Sequence, residues 1–297
     1  METLSFAKHM RPQTVEQPEV KLRSTGYVGF VWTACQHELT MLLRAKRTIL
    51  GAVACLAPVV MVLAVPYLSA APFRQSGTHI FVMMVDYLFL GAMAPVVALY
   101  FGSVLIAEDV DSETLPYLLV RPVPRSALVA GRLLAYLLVA SVVLITSLVL
   151  TFGACSAVGD LALIRENFVL VAHYGAVLVL AALSYGALAM FLGAWLKRPV
   201  VVGVVFLFGW QRAANIVPGA VDFLTIEKYL RALMPALATE RAKTVIKTAL
   251  GDFEKEQLIV QVPSALAILA MIVLAFSIAT VFMLHHREYS RARAAGG

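Results

Sequence analysis

EDVDSETLPYLLVRPVPRSALVAGR, residues 108–132, stands between two long apolar runs and decides how the rest of the chain is read. Four acids come first: Glu108, Asp109, Asp111 and Glu113. Thr114 and an apolar patch over 115–120 follow. Arg121-Pro122 and Pro124-Arg125 then break the pattern, and Gly131-Arg132 lead into the next apolar run. Asp111 or Ser112 can cap a short helix, with Glu113 favourable in its first turn and Pro116 tolerated early on. Leu115, Leu118 and Leu119 form the apolar face of that helix. The prolines stop it and set an extended corner, after which Arg125 and Ser126 begin the next helix. The expectation is a rigid knob at a membrane surface, acids at one end and bases at the other, suited to docking into a groove on a cytoplasmic partner.

The surroundings of this segment are membrane-like. The 297 residues are 61 % hydrophobic and 14 % charged, whereas soluble domains are about 25 % charged. A bilayer core takes about 20 apolar helical residues. The runs 48–68, 81–107, 133–153, 168–196, 199–217 and 264–284 meet or approach that length. The fifth is the weakest, because its clean apolar part, 200–210, runs into Gln211, Arg212 and Asn215. The expected fold is therefore an all-α integral membrane protein. It has a disordered cytoplasmic tail over 1–24, an interfacial amphipathic helix over 25–47, and a six-span domain over 48–297 with an outer segment at 218–262.

Charge orients these spans. Fifteen of the 24 lysines and arginines fall before 48, in 108–132, at Lys197-Arg198 or in the tail, and the two short loops on the other side hold only Arg74 and Arg165. The positive-inside rule then puts both termini and the 108–132 loop in the cytoplasm. The same bias accounts for most of the net charge of +6, so no nucleic-acid partner is expected. A five-span arrangement would move the stretch from Arg212 to Lys255 inside and the tail outside, and charge counting alone leaves it open.

Before the first span, Val28, Val31, Trp32, Cys35, Leu39, Leu42 and Leu43 recur at three- and four-residue steps. They mark one face of a helix. Glu38, Arg44, Lys46 and Arg47 take other positions. An apolar stripe with a Trp and basic residues suits the bilayer interface; packing on the protein's own cytoplasmic face is the alternative. In the outer segment, 226–234 and 239–250 carry mixed helical patterns and read as two short amphipathic helices, divided by Pro235 and closed by Gly251. They line an exit path or cap the bundle.

Candidate site residues inside the spans are few. Asp86 lies five residues into the second run, where a carboxylate is costly and marks a substrate or gate position. His173 and Tyr174 lie at similar outer depth on the fourth run, so the three could share a vestibule. Pro58, Pro66 and Pro95 kink their helices, and Ala182/Gly186 and Ala189/Gly193 allow close helix approach. His285-His286 mark the inner interface. Three widely spaced cysteines, Cys35, Cys55 and Cys155, give neither a disulfide framework nor a metal spacing. No HExxH, GxSxG or pair of intramembrane acids occurs, which counts against an intramembrane enzyme.

The run 108–132 resembles the cytosolic loop of bacterial ABC transporter permeases of the type-2, exporter-like class. The resemblance lies in the acids Asp109 and Asp111, in Thr114-Leu115, Leu118-Leu119, the corner Pro122-Val123-Pro124-Arg125, and Gly131-Arg132. Glu113 stands where the family usually has glycine, and Arg132 where it often has lysine. The entry helix is similar at Glu38-Leu39 and Leu43-Arg44, and a long outer segment before the last span fits too. The resemblance implies a permease in the bacterial inner membrane, paired with a second permease copy or paralogue and with two ATPase subunits that bind ATP and Mg. The loop from Glu108 to Arg125 would seat its short helix in a groove of the ATPase and carry its motion to the spans. The chain agrees on one point: no lysine follows a glycine, so it holds no G-x-x-x-x-G-K-[ST] phosphate loop. A membrane anchor that uses ATPase motion to drive an envelope assembly is the second reading.

Overall fold

The structure is a computed structural model that describes residues 26–68, 77–103, 124–158, 168–196, 199–210, 213–214, 223–234, 243–248, 251–256 and 260–295. The tail over 1–24 and the acidic and proline-rich part of the loop, 104–123, lie outside these residues. Apart from one hairpin, the described elements are helical. Four helices are long and apolar enough to cross a membrane.

Helix α1, Tyr27–Arg44, ends at Ala45, whose extended backbone turns the chain into α2, Lys46–Ala54. The side-chain hydroxyl of Thr48 donates to the Leu42 carbonyl across that bend. The first expected span is broken. Helix α2 stops at Cys55 and α3, Ala57–Leu68, starts afresh. Pro58 explains the break: it has no N–H to offer the Ala54 carbonyl, and it disfavours helical backbone at the residue before it. The next carbonyl, that of Cys55, takes a hydrogen bond from the Ser147 hydroxyl of a neighbouring helix.

Helix α4 covers 77–102 and is wide-wound over Met84–Met93 and Ala98–Gly102, with α-helical turns at Gly77–Met83 and Ala94–Val97. The Ala94 N–H bonds the Phe89 carbonyl five residues back, the π-helical pattern that recurs at functional sites. Pro95 follows at once and cannot donate to the ladder. Helix α5, Arg125–Val158, starts at Arg125 as the corner residues predict and is longer than the expected 133–153. Helix α6 is Phe168–Trp195. The weak fifth run forms a shorter helix, α7, Pro199–Trp210, π-helical over Val205–Trp210.

Helix α8, Ile226–Ala232, falls where the outer segment predicts one. The second expected outer helix is absent. Strands β1, Lys243–Thr248, and β2, Gly251–Glu256, pair antiparallel there. The sequence KTVIKT explains the correction: four of its six residues are β-branched, and these favour strand over helix. The register sets Lys243 opposite Glu256 and Lys247 opposite Asp252, pairings of opposite charge that support a ladder. Helix α9, Val262–Ala295, completes the chain.

The core is built on α6. Of its apolar window 72 % is buried, against 11 % for α9, so α6 is central and α9 peripheral. Small residues explain the difference. Gly186 leaves room for the Tyr136 ring of α5, whose hydroxyl donates to the Ala182 carbonyl at 3.1 Å. Gly193 lies against the Ser103 backbone at the end of α4, and Gly102 faces the Ala189 methyl.

Candidate functional site

Asp86 lies on the wide-wound stretch of α4 and is completely buried. A lone carboxylate there would carry a large desolvation cost. Arg231 of α8 meets it: Nε of Arg231 lies 3.1 Å from Oδ1 of Asp86. The other arm of the same guanidinium reaches the carboxylate of Glu227, one turn earlier on α8 and itself buried. Short helix α8 is thus wedged into the end of the bundle. Its apolar residues Ile226, Tyr229 and Leu230 are buried with Leu233 and Met234 beyond it.

His173 grips the same segment from α6. Its Nε2 donates to the Leu233 carbonyl at 2.8 Å, just past the C-terminal end of α8. Tyr174, the next residue, points elsewhere. Its ring stands edge-on to Phe81 at 5.9 Å, and Phe81 stands edge-on to Phe152 at 5.1 Å. The Tyr174 hydroxyl is buried and has no hydrogen-bond partner among the described residues. The three candidate positions therefore share one end of the bundle, and two of them hold the segment 223–234 rather than an open vestibule.

Arg231 and Glu227 do not stand out in the sequence as site residues. The available signal is their four-residue spacing on a helix, which lets opposite charges pair. Internal contacts stiffen the segment further. The Tyr229 hydroxyl donates to the Phe223 carbonyl at 2.6 Å, and Lys228 Nζ lies 3.5 Å above the Phe223 ring. Burial pushes the Tyr229 phenol above its ordinary value, so it stays a neutral donor.

The opposite end carries the start of α5. Of the coupling residues expected there, Arg125 is described and touches Nδ1 of His285 on α9. Glu108, Asp109, Asp111, Glu113, Thr114, Leu115, Leu118, Leu119 and Arg121 lie outside the described residues. Helix α1 packs along the first turns of α5. A Cβ on Gly131 would come within 2.7 Å of both the Ala34 methyl and the Val31 carbonyl, so only glycine permits this crossing. Glu38 and Arg132 form an ion pair at 3.5 Å beside it. Cys35 and Leu42 are buried in the seam, while Trp32 and Leu43 are exposed on its flank, Met41 on the opposite side, and Arg44 is exposed at the helix end. Both expectations for this helix thus have residues to serve them: some pack on the protein, others are free for a lipid surface.

Between the broken first span and α4 lies a cavity of about 220 Å³. Gly51, Ala54 and Ala57 keep one wall thin, and Leu88, Val96 and Tyr100 form the other. With essentially no polar wall, it accepts hydrocarbon and rejects charge. No group of three or more potential metal ligands occurs among the described residues.

No curated protein matches the chain. The family model described as ABC-2 family transporter protein matches residues 32–288, from α1 to the last helix. Such proteins are the transmembrane component of an ABC transporter, have no ATP-binding site of their own, and imply a separate ATPase component. With its four long apolar helices and a match that covers most of its length, this multi-pass chain belongs to the ABC-2 family of transporter proteins.

Proposed function

We propose that this permease exports a substrate across the bacterial cytoplasmic membrane, driven by ATP hydrolysis in separate subunits. The working unit is two permeases, a second copy or a paralogue beside this one, with two ATPase subunits that bind ATP and Mg. Both termini, α1 and the 108–132 loop face the cytoplasm, and α8 faces outward. The first and fifth runs complete six crossings, one through a broken helix and one through a short one. The family match over 32–288 carries this reading. The sequence of the loop supports it, because an apolar Leu-Leu face between acids and bases fits a groove on a nucleotide-binding partner. Coupling then requires nucleotide state to bias two arrangements of the bundle.

The test is co-purification from membranes in mild detergent. Leu118→Asp with Leu119→Asp should leave the permease inserted and lower ATPase recovery at least about tenfold, as expected when a central apolar anchor is lost. Undiminished recovery would refute the docking role of the loop.

A further inference from the structure

The geometry points to a division of labour between the two ties on α8: we propose that α8 travels with α4 and lets go of α6, with Arg231 as the positioning residue. This rests on the permease reading, since it needs the spans to move. Asp86 is on α4 and His173 on α6, and both hold the C-terminal end of one short helix. If α4 and α6 separate, α8 cannot keep both partners.

The two ties differ in kind. The tie to α4 is a charge-assisted contact to a carboxylate with no exposure to solvent. Glu227, on the same helix, holds the guanidinium in place, so Arg231 is presented to Asp86 in a fixed position. Such contacts are stronger than neutral ones, and separating them in a buried place leaves charges uncompensated. The tie to α6 is one hydrogen bond from a histidine at an exposed position. Water can replace it at little net cost. Beside these ties, α8 buries the apolar side chains of Ile226, Tyr229 and Leu230, and apolar contacts can slide. The contacts of Lys228 and Tyr229 to Phe223 make 223–232 move as one body. Asp86 also lies in the wide-wound part of α4, so a change of winding there would be felt directly by α8.

The experiment uses the permease with its ATPase in lipid nanodiscs, with Cys35, Cys55 and Cys155 replaced by Ser. Pairs of spin labels are placed at Leu224→Cys, Tyr87→Cys and Val169→Cys, all exposed positions, and read by pulsed electron resonance with and without ATP-Mg under non-hydrolysing conditions. The Tyr87–Val169 distance should shift by several ångströms, on the order of one helical turn at most. Leu224–Val169 should shift with it, while Leu224–Tyr87 should hold. Arg231→Gln should broaden Leu224–Tyr87, Arg231→Lys should largely restore it, and His173→Phe should leave it narrow. A Leu224 label that keeps its distance to Val169 and moves against Tyr87 would overturn this proposal and leave the permease reading intact. So would an Arg231→Gln distribution as narrow as the parent's. A Tyr87–Val169 distance that ignores nucleotide would sink both.

Discussion

At Gly186 a hydrogen atom is all that fits beneath the Tyr136 ring. Gly186→Val should cost about 1–3 kcal/mol, the usual penalty for overpacking a tight core. Tyr136→Phe should cost about 1 kcal/mol, the loss of one buried hydrogen bond. Thermal unfolding in detergent, followed by size-exclusion chromatography, should rank the parent above Tyr136→Phe and that above Gly186→Val; equal midpoints for the last two would mean the crossing is looser than it looks. This position was legible beforehand, because Ala182 and Gly186 are four residues apart in a helix. Asp86 was legible only by half. Its depth follows from its place in an apolar run, but nothing local announces that its partner is Arg231, some 145 positions later in the numbering and past four connections between helices. Chain contacts of that separation leave no periodic trace.

Among the elements, α1 and the start of α5 make the clearest mechanical joint. Gly131→Val would drive a side chain into the backbone and methyl of α1, which cannot yield as a flexible side chain would. The expected result is a displaced α1 and an opened Cys35. In the parent Cys35 is 1 % exposed, and burial pushes its thiol above the ordinary range, so thiolate is scarce and alkylation slow. With Cys55 and Cys155 changed to Ser, maleimide should label Gly131→Val at least about tenfold faster than the parent, since the thiolate is the reactive form. Unchanged labelling would show that α1 stays seated. Sequence periodicity found this helix but not its orientation, because one apolar face serves protein and lipid alike: Cys35 and Leu42 are buried while Trp32 and Leu43 of the same face are exposed. Periodicity also misjudged 239–250. The β-branched run at Thr244, Val245 and Ile246 was the stronger signal, and a strand of six residues is too short for a helical count to contradict.

For the whole molecule, the sidedness proposed from charge has a direct check. Leu224 is 71 % exposed and Met41 58 % exposed, and they belong to opposite ends of the bundle. In intact cells an impermeant maleimide should label Leu224→Cys but reach Met41→Cys only after permeabilisation. The reverse pattern would invert the proposed topology, and labelling of both from outside would break it. Four of the six apolar runs were readable as long helices because lipid demands continuous backbone bonding. The first was not, because Pro58 breaks it, although the residue that answers the exposed backbone there lies far along the chain. The Cys55 carbonyl is answered by Ser147, a residue synthesised more than ninety positions later. A serine on α5 thus reaches the break between the opening helices, so any rearrangement of one is felt at the other.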